Sequence, residues 1–216
     1  MLKAIKNVVF DLGGVICDLE VERVMEAFRE IGMEKMAALM DPCYPAEVNE
    51  RMESGQISWE EACDEMRRID NRPEVTNEQI EWVYREFLSR VDAKKLATID
   101  RLRERGIRTY VLSNTNPTAI EIVRDRVREA TGRELESYFD DIFLSYRLKI
   151  LKPSPAIFEK MIALSGLNPK ETLFIDDGSR NADTAHRLGF AVYCPPTNGA
   201  WRQIFEEVEN NLEFRI

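Results

Sequence analysis

The stretch that most constrains the fold is Val8-Val9-Phe10-Asp11-Leu12-Gly13-Gly14-Val15. Three apolar residues run into a carboxylate, and two glycines follow. A short apolar run closed by glycine reads as a strand buried on both faces, the kind that parallel sheets use. Asp11 then stands at the carboxyl end of that strand, the end at which open α/β sheets bind ligands. Two glycines let the chain turn sharply and bring its backbone close to a ligand.

The rest of the chain supplies partners for that strand. Glu20 to Ile31 reads as a helix closed by Gly32, with Val21, Val24, Met25 and Phe28 as its apolar stripe. Glu34 to Arg90 reads as helical throughout, with no convincing strand. Ser58-Trp59-Glu60-Glu61 and Thr76-Asn77-Glu78-Gln79 are capping boxes there, and Pro42, Pro45, Gly55 and Pro73 mark the breaks. Its aromatics, Tyr44, Trp59, Trp82, Tyr84 and Phe87, read as packing residues. From Asp92 onward strands and helices alternate. Strands are expected at 107–112, 141–145, 172–176 and 190–194. Helices are expected from Asp92, from Ala119, after Lys152-Pro153-Ser154-Pro155 (with Ser154 as N-cap), over 180–188 and over 201–211. Arg124 to Glu134 reads as an exposed helix end and loop. Such alternation makes a parallel sheet covered by helices on both faces, a Rossmann-like α/β core. Right-handed crossovers keep the carboxyl ends of the strands on one rim. The expected organisation is a discontinuous core, 1–17 and 92–216, with a small all-helical cap, 18–91, inserted after the first strand.

Composition narrows the setting. Thirty Lys and Arg stand against 39 Asp and Glu, a net charge of −9. That balance argues against nucleic acid and anionic membrane as partners. No apolar run is long enough to span a bilayer. Four scattered cysteines without a C-x-x-C pair, and no signal peptide at the start, fit reduced thiols and a cytoplasmic protein. The single histidine, His186, leaves little room for His-based triads or zinc sites.

The rim should present Asp11, Ser113 and Asn114, Lys152, and the pair Asp176-Asp177. Carboxylates so crowded repel by roughly 4 kcal/mol per close pair at an effective dielectric near 20, so the site needs cations. An all-oxygen donor set selects Mg²⁺, which takes one or two carboxylates, waters and a substrate phosphate.

Four motifs in order, Phe10-Asp11-Leu12-Gly13-Gly14-Val15, Leu112-Ser113-Asn114-Thr115, Lys152-Pro153 and Ile175-Asp176-Asp177-Gly178, resemble those of the haloacid dehalogenase superfamily of hydrolases. The placement of the helical segment is similar to the helical-cap (subfamily I), phosphatase-like branch. The resemblance implies Asp11 as nucleophile, forming an aspartyl intermediate. It implies that Ser113, the Asn114 backbone and Lys152 hold the phosphoryl group, with Lys152 also neutralising the nucleophile. Mg²⁺ would be held by Asp11, the Gly13 carbonyl and Asp177, with Asp176 supporting through water. One position departs from the pattern. Phosphatases of this superfamily usually carry an acid–base Asp two residues after the nucleophile, and here that residue is Gly13. Either the substrate has a good leaving group, as in sugar 1-phosphates and acyl phosphates, or a cap side chain or water moves the proton. The expected function is a Mg²⁺-dependent phosphatase of a small phosphorylated metabolite. A dehalogenase-like hydrolase and a weakened ligand-binding or regulatory homologue are the alternatives. In the cap, the stretch 51–57 is expected to face the site, with Arg51 and Glu53 as candidates for specificity. Asp18 and Val91 mark the linkers about which the cap would open and close.

Overall fold

The structure, a computed structural model, describes residues 5–40 and 47–206. It begins with β1 (Asn7–Phe10) and continues through β2 (Cys17–Leu19), α1 (Val21–Glu30), α2 (Glu34–Leu39), α3 (Glu47–Glu53), α4 (Trp59–Asp70), α5 (Asn77–Phe87) and β3 (Leu88–Val91). It then runs through α6 (Ala93–Glu104), β4 (Arg108–Ser113), α7 (Pro117–Thr131), β5 (Asp141–Leu144), α8 (Ser145–Leu148) and α9 (Pro155–Ser165). The last described elements are β6 (Thr172–Ile175), α10 (Ser179–Arg187), β7 (Ala191–Tyr193) and α11 (Gln203–Glu206). Pro42, Tyr44, Pro45 and the continuation of the final helix to residue 211 lie outside the described residues.

Five strands form one parallel sheet in the order β5-β4-β1-β6-β7. β1 is central and fully buried, as its unbroken apolar run requires. Val8 and Phe10 point into one layer and Val9 into the other. Phe10 packs at 5.0 Å on Trp201, whose indole N–H donates to the Val15 carbonyl at 2.9 Å, so the end of the described chain is laid beneath the first loop. In register, Phe10 is level with Ile175 of β6. The next residues along, Asp11 and Asp176, therefore leave two adjacent strands at the same height.

Between β2 and β3 the chain is helical, and both capping boxes form as reciprocal side-chain to backbone pairs, Ser58 with Glu61 and Thr76 with Gln79. The expectation of no strand in this region fails at Leu88–Val91, which pairs antiparallel with Cys17–Leu19 as a two-stranded ribbon. The ribbon is the connection between the helices and the sheet. Asp18, buried within it, accepts from Lys95 at 2.8 Å and Arg90 at 2.9 Å. Burial alone would raise its carboxyl, but these two donors hold it below the ordinary range. The 124–134 segment also differs from its expectation. α7 continues to Thr131 and buries Val127, and Arg126 donates to the carbonyls of Arg85 and Leu88, tying the exit from the helical insert to the core. Ser154 does take the N-cap position of α9, but its side chain accepts no capping bond; Pro155 starts that helix instead.

Candidate active site

The residues after β1, β4 and β6, with Lys152 before α9, meet at one rim. Lys152 is its centre. Its ammonium is 2.8 Å from Asp11 Oδ2 and 2.6 Å from Asp176 Oδ2, and donates to the Leu112 carbonyl at 2.9 Å. Three donors meet three acceptors, so a cation 1% exposed at its side chain is fully satisfied. Burial opposes its charge, but Asp11 and Asp176 more than restore it and raise its pKa. The lysine is aimed by its own backbone. The Asn114 side chain accepts from the Lys152 N–H at 2.8 Å and donates to its carbonyl at 3.0 Å. This leaves the Asn114 backbone, and not its amide side chain, to face a ligand. Ser113 is buried at the end of β4, its hydroxyl donating only to the Asn114 carbonyl at 3.3 Å.

Asp11, Asp176 and Asp177 bring one oxygen each within 4.8 Å of one another, the spacing of ligands around a single ion. Their surroundings differ. Asp176 is wholly buried; its Oδ1 accepts from the Gly178 N–H at 2.8 Å and from the Asn181 amide at 2.9 Å, and its Oδ2 from Lys152. Asp177 is half-buried, and its Oδ2 accepts from the Thr197 hydroxyl. Burial raises the Asp177 carboxyl, with Thr197 opposing. Burial also raises Asp11, with Lys152 pulling it back. Hard oxygen donors without sulfur or imidazole fit Mg²⁺. The two glycines separate in role. Gly14 has φ +71°, and a Cβ there would sit 2.3 Å from Asp177 Oδ2, so only glycine fits beside the trio. Gly13 lacks this backbone demand, and a Cβ there would meet both Leu19 Cδ atoms at 3.3 Å.

Of the two cap residues singled out, the structure brings one toward the site. The Arg51 guanidinium contacts both carboxylate oxygens of Glu65, at 3.0 and 2.8 Å, within the helical insert. Glu53, half-buried at the end of α3, has its carboxyl raised by burial first, with the Asp11 charge adding and Lys152 opposing. The 51–57 stretch is not a simple loop: α3 runs through Glu53 before the chain turns. The sequence reading missed Thr197 and Asn181, which orient the acidic pair, and Leu19, which packs on Gly13. Asn181 carries a local signal, since a polar residue just inside a helix that follows Asp-Asp-Gly can reach back. Thr197 and Leu19 are placed only by tertiary packing.

The haloacid dehalogenase-like hydrolase family matches residues 5–189. A D-ribitol-5-phosphate phosphatase of Bacteroides thetaiotaomicron is 35% identical, over 96% of this chain and 100% of its own length. A predicted hydrolase of the same family from Porphyromonas gingivalis has a solved structure that superposes with a TM-score of 0.87 at 38% identity, covering 97% of this chain and 100% of that one. A family enzyme of Bacteroides thetaiotaomicron, solved with magnesium and inorganic phosphate, gives a TM-score of 0.85 at 33% identity, over 93% and 99% of the two chains. No described helix is long and apolar enough to cross a membrane. With its parallel sheet, inserted helices and ordered rim motifs, the chain belongs to the haloacid dehalogenase-like hydrolase family.

Proposed function

We propose that this protein is a Mg²⁺-dependent phosphatase of a small sugar or polyol phosphate, working through an aspartyl-phosphate intermediate on Asp11. The observation that carries the reading is the placement of one buried ammonium, Lys152, on both Asp11 and Asp176, beside an acidic trio of metal-site dimensions. A dehalogenase displaces halide from an uncharged carbon, so it needs no metal to neutralise phosphoryl charge and has no use for that trio. The comparisons support the same reading: a relative is a D-ribitol-5-phosphate phosphatase, and a structural neighbour was solved with magnesium and inorganic phosphate.

Asp11, Asp177 and the Gly13 carbonyl would hold the ion, with Asp176 behind them, both of its oxygens already committed to Lys152, Gly178 and Asn181. Bound there, Mg²⁺ supplies charge neutralisation for the phosphoryl oxygens. Asp11 Oδ2 attacks phosphorus while Lys152 shields it from the phosphate charge. The Ser113 hydroxyl and the Asn114 backbone hold the transferring oxygens. Phosphoryl transfer needs positioning and charge compensation above all, and this rim supplies both. The test is release of phosphate from a panel of sugar and polyol phosphates, with Mg²⁺ or with EDTA, beside Asp11→Asn. Mg²⁺-dependent turnover lost in Asp11→Asn is expected. Turnover of chloroacetate in EDTA, with none of the phosphates, overturns the reading.

A further inference from the structure

Resting on the phosphatase reading, the missing proton donor can be located. The position that lacks an acid, Gly13, is not open space. Leu19 packs on it, and the Leu19 backbone is held on both sides by Asn198, which accepts from its N–H at 2.8 Å and donates to its carbonyl at 2.9 Å. A side chain at position 13 would therefore have to displace the Leu19 side chain by a few tenths of an ångström, and the first loop as it stands carries no second carboxyl. Asp11, Asp176 and Asp177 are occupied with the nucleophile, Lys152 and the ion.

One carboxyl approaches from the opposite side. Glu53 ends α3, and its carbonyl accepts from the Ser145 hydroxyl at 2.7 Å, a bridge across 92 residues of sequence. The same hydroxyl accepts from the Thr115 N–H at 3.0 Å, two residues beyond Ser113. Two residues on from Glu53, Gly55 gives its carbonyl to Lys149 at 2.7 Å; a Cβ there would lie 2.5 Å from the Tyr146 carbonyl, so only glycine allows this close a dock. The α3 terminus is thus fixed to the core beside the phosphate-binding turn. Among the described residues the Glu53 carboxyl has no hydrogen-bond or ion-pair partner. The charged and titratable groups acting on it are Asp11, Lys152 and Glu50, with the buried Tyr84 phenol nearby; Arg51 is turned to Glu65 and Lys149 to the Gly55 carbonyl.

We propose that Glu53, delivered by the helical insert, is the general acid and base of this enzyme, in the place of the carboxyl that Gly13 lacks. In the first step Asp11 forms its bond to phosphorus, and the ester P–O bond breaks with its electron pair on the leaving oxygen. The Glu53 proton goes to that oxygen, releasing the alcohol and leaving Glu53 as carboxylate. In the second step Glu53 takes a proton from water, whose oxygen attacks phosphorus. The bond to Asp11 breaks, giving inorganic phosphate, the Asp11 carboxylate and a protonated Glu53. Burial of the Glu53 carboxyl favours the protonated form that the first step needs.

The test is the dependence on leaving group, read in kcat/KM, which isolates the first step. With Mg²⁺, Glu53→Gln should lose about 10²–10⁴-fold on ribitol 5-phosphate, whose alkoxide needs a proton. On 4-nitrophenyl phosphate, whose phenolate leaves unaided, the loss should be under about tenfold, with a burst of nitrophenol as the aspartyl phosphate accumulates. Inhibition by inorganic phosphate should persist, showing an intact site. Equal losses on both substrates overturn the acid–base role and leave the phosphatase reading standing. A wild-type enzyme inert on every phosphate monoester removes the premise, and the proposal with it.

Discussion

The raised Glu53 carboxyl should leave a mark on stability that is independent of turnover. An ordinary Glu titrates at 4.5, and here burial and Asp11 move the group to about 7. A raised carboxyl pKa means that the folded protein binds more protons than the unfolded chain between those two values. Stability contributed by the neutral form is complete below about 4.5 and declines as pH rises through about 7. The displacement corresponds to roughly 3 kcal/mol at one pKa step per 1.36 kcal/mol. Glu53→Gln keeps the shape and removes the titration. The variant should match wild type near pH 4 and exceed it by about 3 kcal/mol at pH 8, or about 6–12 °C in Tm for a chain of this size. Asp177 titrates in both proteins; Asp11 does too, and its repulsion with Glu53 is part of the difference being measured. Thermal unfolding from pH 4 to 8, in EDTA so that no divalent ion offsets the acidic charge, gives the answer. A Tm difference independent of pH refutes the reasoning, because it would mean a solvated Glu53 that does not face the site.

Other perturbations test other parts of the arrangement. Lys152→Met strands two buried carboxylates and should abolish turnover and cost about 3–5 kcal/mol, read by urea denaturation. Gly14→Ala places a methyl within the Asp177 carboxylate and a side chain at positive φ, so Mg²⁺ affinity measured by calorimetry should fall by at least tenfold while the fold survives. Asp18→Asn weakens the ribbon between sheet and helical insert. The folded Asp18 titrates below its ordinary value, so wild-type stability from this group is present above about pH 4 and lost as pH falls. The variant should therefore be less stable than wild type at pH 7 and approach it at pH 3, by circular dichroism melts.

The rim was legible where a polar side chain sits at the end of a regular element. Asp11, Ser113, Lys152 and Asp176 each follow an apolar strand or open a helix, and parallel topology then puts them on one rim. The capping boxes at Ser58 and Thr76 were legible because their partners lie three residues away. What could not be read depends on contacts between distant segments. The ribbon of Cys17–Leu19 and Leu88–Val91 is short and partly polar, and Leu88 continues the apolar rhythm of α5, so nothing local marks a strand. Arg51 and Glu53 were equivalent as cap residues until packing paired Arg51 with Glu65 and Ser145 anchored the end of α3. At Gly13 the sequence shows that a side chain is missing, but not that one placed there would meet Leu19.

The central claim is that Asp11 becomes covalently phosphorylated. The direct measurement is mass spectrometry of protein quenched in acid during turnover of a phosphate monoester with Mg²⁺. A phosphoryl adduct on the peptide containing Asp11, absent in Asp11→Asn and longer-lived in Glu53→Gln, is the predicted result. Turnover that proceeds with no adduct on Asp11, or that survives Asp11→Asn, would contradict it.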